Sequence, residues 1–365
     1  MKKLMILILL LPLFRLSASA ETVEGELAGR IGVYGMEQTL DAEAREISGR
    51  LITDGSYDVR DALKRLIEGV LERARAELHG SLRVLSSLAA LSVLSTVSDS
   101  LCPNQTARKY AGLACCAGAA FLLTDGVGSM IDATVAALNE LSGFSKTALP
   151  ALYTAAAAAG ALSSSAAKYA AASLSLDIMM SVANRVLIPL IYAYLALSLA
   201  KSLFADPVNA AVARLIKWLC GTVMMGMTLL FGAYVGMTDI LSSGVDAAAV
   251  KTAKAVISTA LPVVGGIVSD ASAAVVSAAG VLRSSAGVFG LIAVCAICVG
   301  PYVALLIRFL LLKAVAAVTE GMPNAGLSAL MNDIGTAMAM LLGLLGSGGI
   351  MLFISFTAAI RAVRP

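Results

Sequence analysis

From Leu78 to the C-terminal Pro365, long blocks of apolar residues recur between short polar breaks, and most are near the roughly 20 residues that cross a bilayer as helix. The pattern predicts spans at Leu82 to Val97, Tyr110 to Thr124, Thr147 to Leu162, Met180 to Ala200, Trp218 to Met237, Val288 to Leu312 and Gly335 to Ile360. In lipid every backbone polar group must be satisfied within the chain, so such blocks become helices. The expected fold is all-α, a polytopic membrane helix bundle of about six to seven spans.

Ahead of the first span the pattern changes twice. Residues 1–20 read as a signal peptide: Lys2 and Lys3, an apolar run from Leu4 to Phe14, then the small-residue site Ala18-Ser19-Ala20. An uncleaved anchor is the other reading, and both put residues 21–78 on the non-cytoplasmic face. Between Ser56, placed to cap, and Leu78, the apolar Val59, Leu63, Leu66, Ile67, Val70, Leu71, Ala74 and Leu78 keep helical spacing. Asp58, Arg60, Asp61, Lys64, Arg65, Glu68, Glu72 and Arg73 fill the opposite face. This amphipathic helix suits a partner helix, the lipid surface or the protein's own membrane core. Residues 79–365 form the transmembrane domain.

Two inter-span segments break the pattern. Residues 125–146 mix Asp125, Asp132 and Glu140 with Val127, Met130, Ile131, Val135 and Leu138, as expected of a helix lying at the interface. In 251–285, Lys251 and Lys254 open an apolar helix that Pro262 and Gly265-Gly266 should break, and a second helix is expected from Ser269 to Leu282. Such a broken hairpin is either re-entrant, buried in protein or facing a wet cavity, or a surface hairpin outside the membrane.

Composition agrees with the membrane reading: 59% of residues are hydrophobic and 14% charged, against about 25% charged in a soluble domain, and the mean hydropathy is +0.87. A net charge of +3, scattered along the chain, excludes a nucleic-acid surface. Seven crossings starting outside place Arg108, Lys109, Lys168, Lys251, Lys254, Arg283, Arg361 and Arg364 in the cytoplasm, and Lys146, Lys201, Arg214, Lys217 and Lys313 opposite. Positive-inside bias therefore favours seven; if the third stretch only dips into the membrane, the division becomes six inside against seven outside.

Catalytic chemistry finds little footing. His79 is the only histidine and stands at a membrane edge, which excludes a metalloprotease built on paired histidines. Cys295-x-x-Cys298 and Cys115-Cys116 fall inside spans and read as small apolar residues, and Cys102 and Cys220 have no evident partner. The acidic residues cluster at span boundaries rather than facing each other within spans, and no phosphate-cradling loop is present. No catalytic, metal or cofactor-binding residue is assigned. Arg83, Asp177, Arg185 and Arg308 lie nearest the membrane interior; of these, Arg185 and Arg308 are candidate pore or subunit contacts or snorkelling side chains. Gly232-x-x-x-Gly236 and the cluster Gly343, Gly346, Gly348 and Gly349 allow close helix contact, within the chain or between copies.

One stretch carries a family resemblance. Lys251-Thr252-Ala253-Lys254, Leu261-Pro262-Val263-Val264-Gly265, Ser269-Asp270-Ala271, Ser277 and Gly287-Val288-Phe289-Gly290 resemble the signature region of the stage III sporulation protein AE family. The exported preface, Pro189-Leu190-Ile191 in the fourth span and the terminal hydrophobic hairpin are similar too. The N-terminal 80 residues and the loop Glu320-Gly321-Met322-Pro323 depart from the pattern. The resemblance marks Lys251, Lys254, Pro262, Gly265, Asp270, Gly287 and Gly290 as signature or structural positions. It implies a non-enzymatic, multi-pass subunit of the mother cell–forespore channel, in the mother-cell membrane around the forespore and needed for late forespore gene expression. Implied partners are the other stage III sporulation A-operon proteins (an ATPase, ring-forming and small membrane subunits), stage II sporulation protein Q, and further copies of the chain. The alternative, from the residues alone, is a self-sufficient secondary transporter with its substrate site at 251–285.

Overall fold

The computed structural model describes residues 40, 59–101, 104–158, 162–204, 207–260, 265–320 and 325–361, which are almost entirely helical with no strand among them. The helices are α1 (Val59–Leu101), α2 (Gln105–Ala158), α3 (Leu162–Val182), α4 (Ile188–Phe204), α5 (Pro207–Ala260), α6 (Gly265–Thr319) and α7 (Ala325–Arg361). A π turn, Ala183–Leu187, joins α3 to α4 without a break. Pro189 explains it: proline has no N–H to offer the carbonyl four residues back, and the widened turn absorbs the mismatch. The N–H of Ile188 bonds instead to the Ala183 carbonyl. Residues 1–20 lie outside the described residues, as do Ser56 and Pro262.

Among the described residues, six helical segments are long and apolar enough to cross a membrane: Lys64–Ser98, Gln105–Ala158, Ser165–Phe204, Val208–Met237, Gly287–Thr319 and Gly326–Arg361. The expected second and third spans are therefore one helix. α2 runs unbroken for 54 residues, and the 125–146 segment expected at the interface is its middle. Its apolar positions are core: Val127, Met130, Ile131, Ala137, Leu138, Leu141 and Phe144 are all buried. With α2 crossing once, the basic residues divide nearly evenly between the two faces and give no orientation. Lys168, counted among the loop charges, is in fact buried.

Three other expected boundaries also dissolve. The amphipathic helix and the first span are the single helix α1, which runs through the 78–79 boundary. The expected break at Pro262 falls outside the described residues, between Ala260, where α5 ends, and Gly265, where α6 begins; Gly265 and Gly266 are themselves helical. α5 continues the fifth span through Lys251 and Lys254, and α6 carries Ser269 to Leu282 straight into the sixth. No separate helix stands between them.

The C-terminal helix α7 is the axis of the bundle. It packs against α6, α2, α5, α4 and α3, and α1 docks on α6 and α2. Its span is the most buried of the six, and Leu341, Leu344, Leu345, Leu352 and Phe356 are sealed from solvent. The glycine cluster makes this possible. A Cβ on Gly343 would stand 3.3 Å from Met224 of α5, one on Gly348 3.1 Å from Leu138 of α2, and one on Gly349 3.2 Å from Cys298 of α6. These glycines serve packing within the chain, letting neighbouring backbones approach where lipid offers no hydrophobic drive. Gly232 lies against Ile354, whereas Gly236 faces open space.

Candidate functional site

Two signature glycines, Gly287 and Gly290, sit where α6 crosses α7. A Cβ on Gly290 would overlap the ring of Phe356, and one on Gly287 would overlap the end of Ile360. Phe356 is fully buried and stacks on Phe144 of α2, ring centroids 5.9 Å apart and planes 15° from parallel. One residue away, the Tyr153 hydroxyl of α2 donates to the Ser355 carbonyl at 3.1 Å. α2, α6 and α7 are thus locked at one level by a glycine gap filled with an aromatic ring.

Arg308 ties three helices together. Its Nε donates to Glu77 Oε1 of α1 at 2.5 Å and its Nη1 to the Gly126 carbonyl of α2 at 2.9 Å. Roughly a quarter of each ionic side chain reaches the surface, 27% for Arg308 and 22% for Glu77. Eight residues earlier on α6, a Cβ on Gly300 would collide with the guanidinium of Arg73. Glycine there admits α1 against α6. Arg185 lies on the π turn and is exposed, with no ion-pair partner among the described residues.

A second polar node gathers near the start of α7. Lys201 of α4 donates to Asp333 at 2.5 Å, and the Tyr194 hydroxyl approaches the other carboxylate oxygen at 3.4 Å. Lys313 of α6 donates to the Asn332 carbonyl at 3.1 Å, to the Asn332 side chain and to Thr336 at 3.3 Å. Sequence reasoning missed this node because Lys201 and Asp333 stand 132 residues apart. Both nodes fix helices at set heights, since an ionic group in lipid surroundings needs its partner.

Lys251, Lys254, Gly265 and Asp270 lie on the helical backbone to either side of residues 261–264, away from Arg308 and the glycine seam in sequence. His79 is exposed on α1, its Nδ1 donating to the Arg75 carbonyl at 2.8 Å. Cys115, Cys116, Cys220, Cys295 and Cys298 are unbonded, the first three buried and the last two partly so. Among the described residues no group of three or more His, Cys, Asp or Glu side chains is placed to hold a metal ion.

The family model described as stage III sporulation protein AE matches residues 47–363. The match extends the similarity well into the N-terminal 80 residues, across the whole of α1. Neither a curated protein nor a solved structure matches the chain.

Proposed function

Because the chain belongs to the stage III sporulation protein AE family, we propose that it is a non-enzymatic membrane subunit of the channel between mother cell and forespore, needed for late forespore gene expression. The carrying observation is the match over residues 47–363 on a chain with six helices able to span a membrane. In this reading it sits in the mother-cell membrane that surrounds the forespore, multi-pass. It works with the other proteins of the stage III sporulation A operon, an ATPase, ring-forming and small membrane subunits, and with stage II sporulation protein Q on the forespore side. The geometry supports a structural subunit: the ionic groups at Arg308 and Asp333 hold helices together. Lys251, Lys254 and Asp270 are kept as signature or structural positions of the family.

Deleting the gene in its spore-forming host and following a late forespore-specific reporter tests the role. Engulfment is expected to finish while the reporter stays silent and forespores shrink, with recovery when the intact chain is supplied. Normal spores would overturn the proposal in favour of an independent transporter.

A further inference from the structure

Side-chain contacts place six helices on one cross-section of the bundle. Gly348 of α7 meets Leu138 of α2, Gly349 meets Cys298 of α6, and Ser347 meets Met179 of α3. Gly300, just beyond Cys298, meets Arg73 of α1. On α5, Met224 meets Gly343 and Gly232 meets Ile354, so Leu229 and Leu230 fall at the same level. This level lies inside the Gly287–Thr319, Gly326–Arg361 and Val208–Met237 spans.

The perimeter at that level has two characters. On α5 the outward residues are Leu229 and Leu230, exposed by 60% and 75%, as expected of side chains in lipid. On α1 and α2 the polar outward residues are Glu72, Arg75 and Asn139, and on α3 Asp177 stands exposed beside Ile178. Both polar sets extend as stripes. On α2 the exposed residues Asp125, Ser129, Asp132, Ala136, Asn139, Gly143 and Lys146 alternate steps of four and three, one helical face with no large apolar side chain. At a rise of 1.5 Å per residue, that stripe is about 32 Å long, close to the roughly 30 Å of a bilayer's hydrocarbon core. On α1, Lys64, Glu68, Glu72, Arg75 and His79 form a second exposed stripe. Pairing within the stripes is loose: Lys64 stands 4.0 Å from Glu68, and Lys146 stands 4.0 Å from Asp177 of α3, all four well exposed.

Charged side chains at bilayer depth face water or a polar partner, not acyl chains. We infer that the α1–α2 face, with its stripe from Asp125 to Lys146, borders a water-filled path through the membrane. α5 presents the lipid-facing side at this level. The inference deepens the channel role and rests on that reading, but gene deletion tests the role whereas the accessibility of this face tests the lining.

The test uses the full chain in membranes of its sporulating host, with Glu72→Cys, Asp132→Cys or Asn139→Cys on the polar face and Leu229→Cys or Leu230→Cys at the same depth on the rim. A charged, membrane-impermeant maleimide is applied to opened membranes, and labelling is read above that of the unsubstituted chain. Stripe cysteines are expected to react about tenfold faster or more than rim cysteines, because the reacting thiolate needs water. Equal, slow labelling on both sides would overturn the inference, as would stripe cysteines that react only with a lipid-soluble maleimide. All five positions are exposed, so the substitutions leave the core intact; a deletion phenotype alongside unreactive stripe cysteines would sink the lining and leave the role standing.

Discussion

Gly290→Ala should destabilise the folded chain by about 1 to 3 kcal/mol, the usual range for forcing extra atoms into a filled core, while Gly287→Ala should cost under about 0.5 kcal/mol, as substitutions that meet only movable atoms do. The new methyl at 290 lands on the ring of Phe356, which is fully buried and stacked on Phe144, so neither ring can swing away without opening the α2–α7 contact. At 287 the obstacle is the Cγ1–Cδ1 arm of Ile360, a half-buried side chain in the last turn of α7 with room to give way toward the surface. Thermal unfolding of the detergent-purified variants separates the two. A marked loss at 290 with little change at 287 is the expected result; equal losses would mean that ring packing does not set the seam.

Arg308→Ala should release the N-terminal half of α1 from the bundle at a cost of about 3 kcal/mol, the low end for a broken buried pair because part of each side chain reaches the surface. Glu77 would be left unpaired against α6, and the Gly126 carbonyl would lose its donor. Adding Glu77→Ala should then recover about 1 to 2 kcal/mol, since removing both partners leaves no orphaned charge. Limited proteolysis reads this directly, through faster cleavage within residues 64–79 in the single variant than in the double. Cleavage unchanged by Arg308→Ala would show that α1 is held by other contacts.

The sequence announced its helices where apolar runs were uninterrupted, as in α6 and α7. It misread α2 because Asp125, Asp132, Glu140 and Lys146 lower the local hydropathy. Yet most of those charges keep to one stripe while Met130, Ile131, Leu138 and Leu141 are buried on the other face. A window average cannot separate a polar face from a polar gap, whereas the alternation of three and four could have. The role of Gly287 and Gly290 in packing was invisible for a different reason: a glycine shows what it makes room for only when Phe356 and Ile360, on another helix, are in place. Arg308 stood out as a charge within a span, but Glu77 is 231 residues away, and only the docking of α1 on α6 brings them together.

The proposed channel role depends on the polar face at membrane depth. It is tested most directly by replacing Asp132 and Asn139 together with leucine and following the late forespore reporter after engulfment. Both side chains point outward, so the chain should accumulate normally and keep its assembly partners. The reporter is expected to fall silent as it does without the gene. A fully active reporter with both leucines in place would contradict the account.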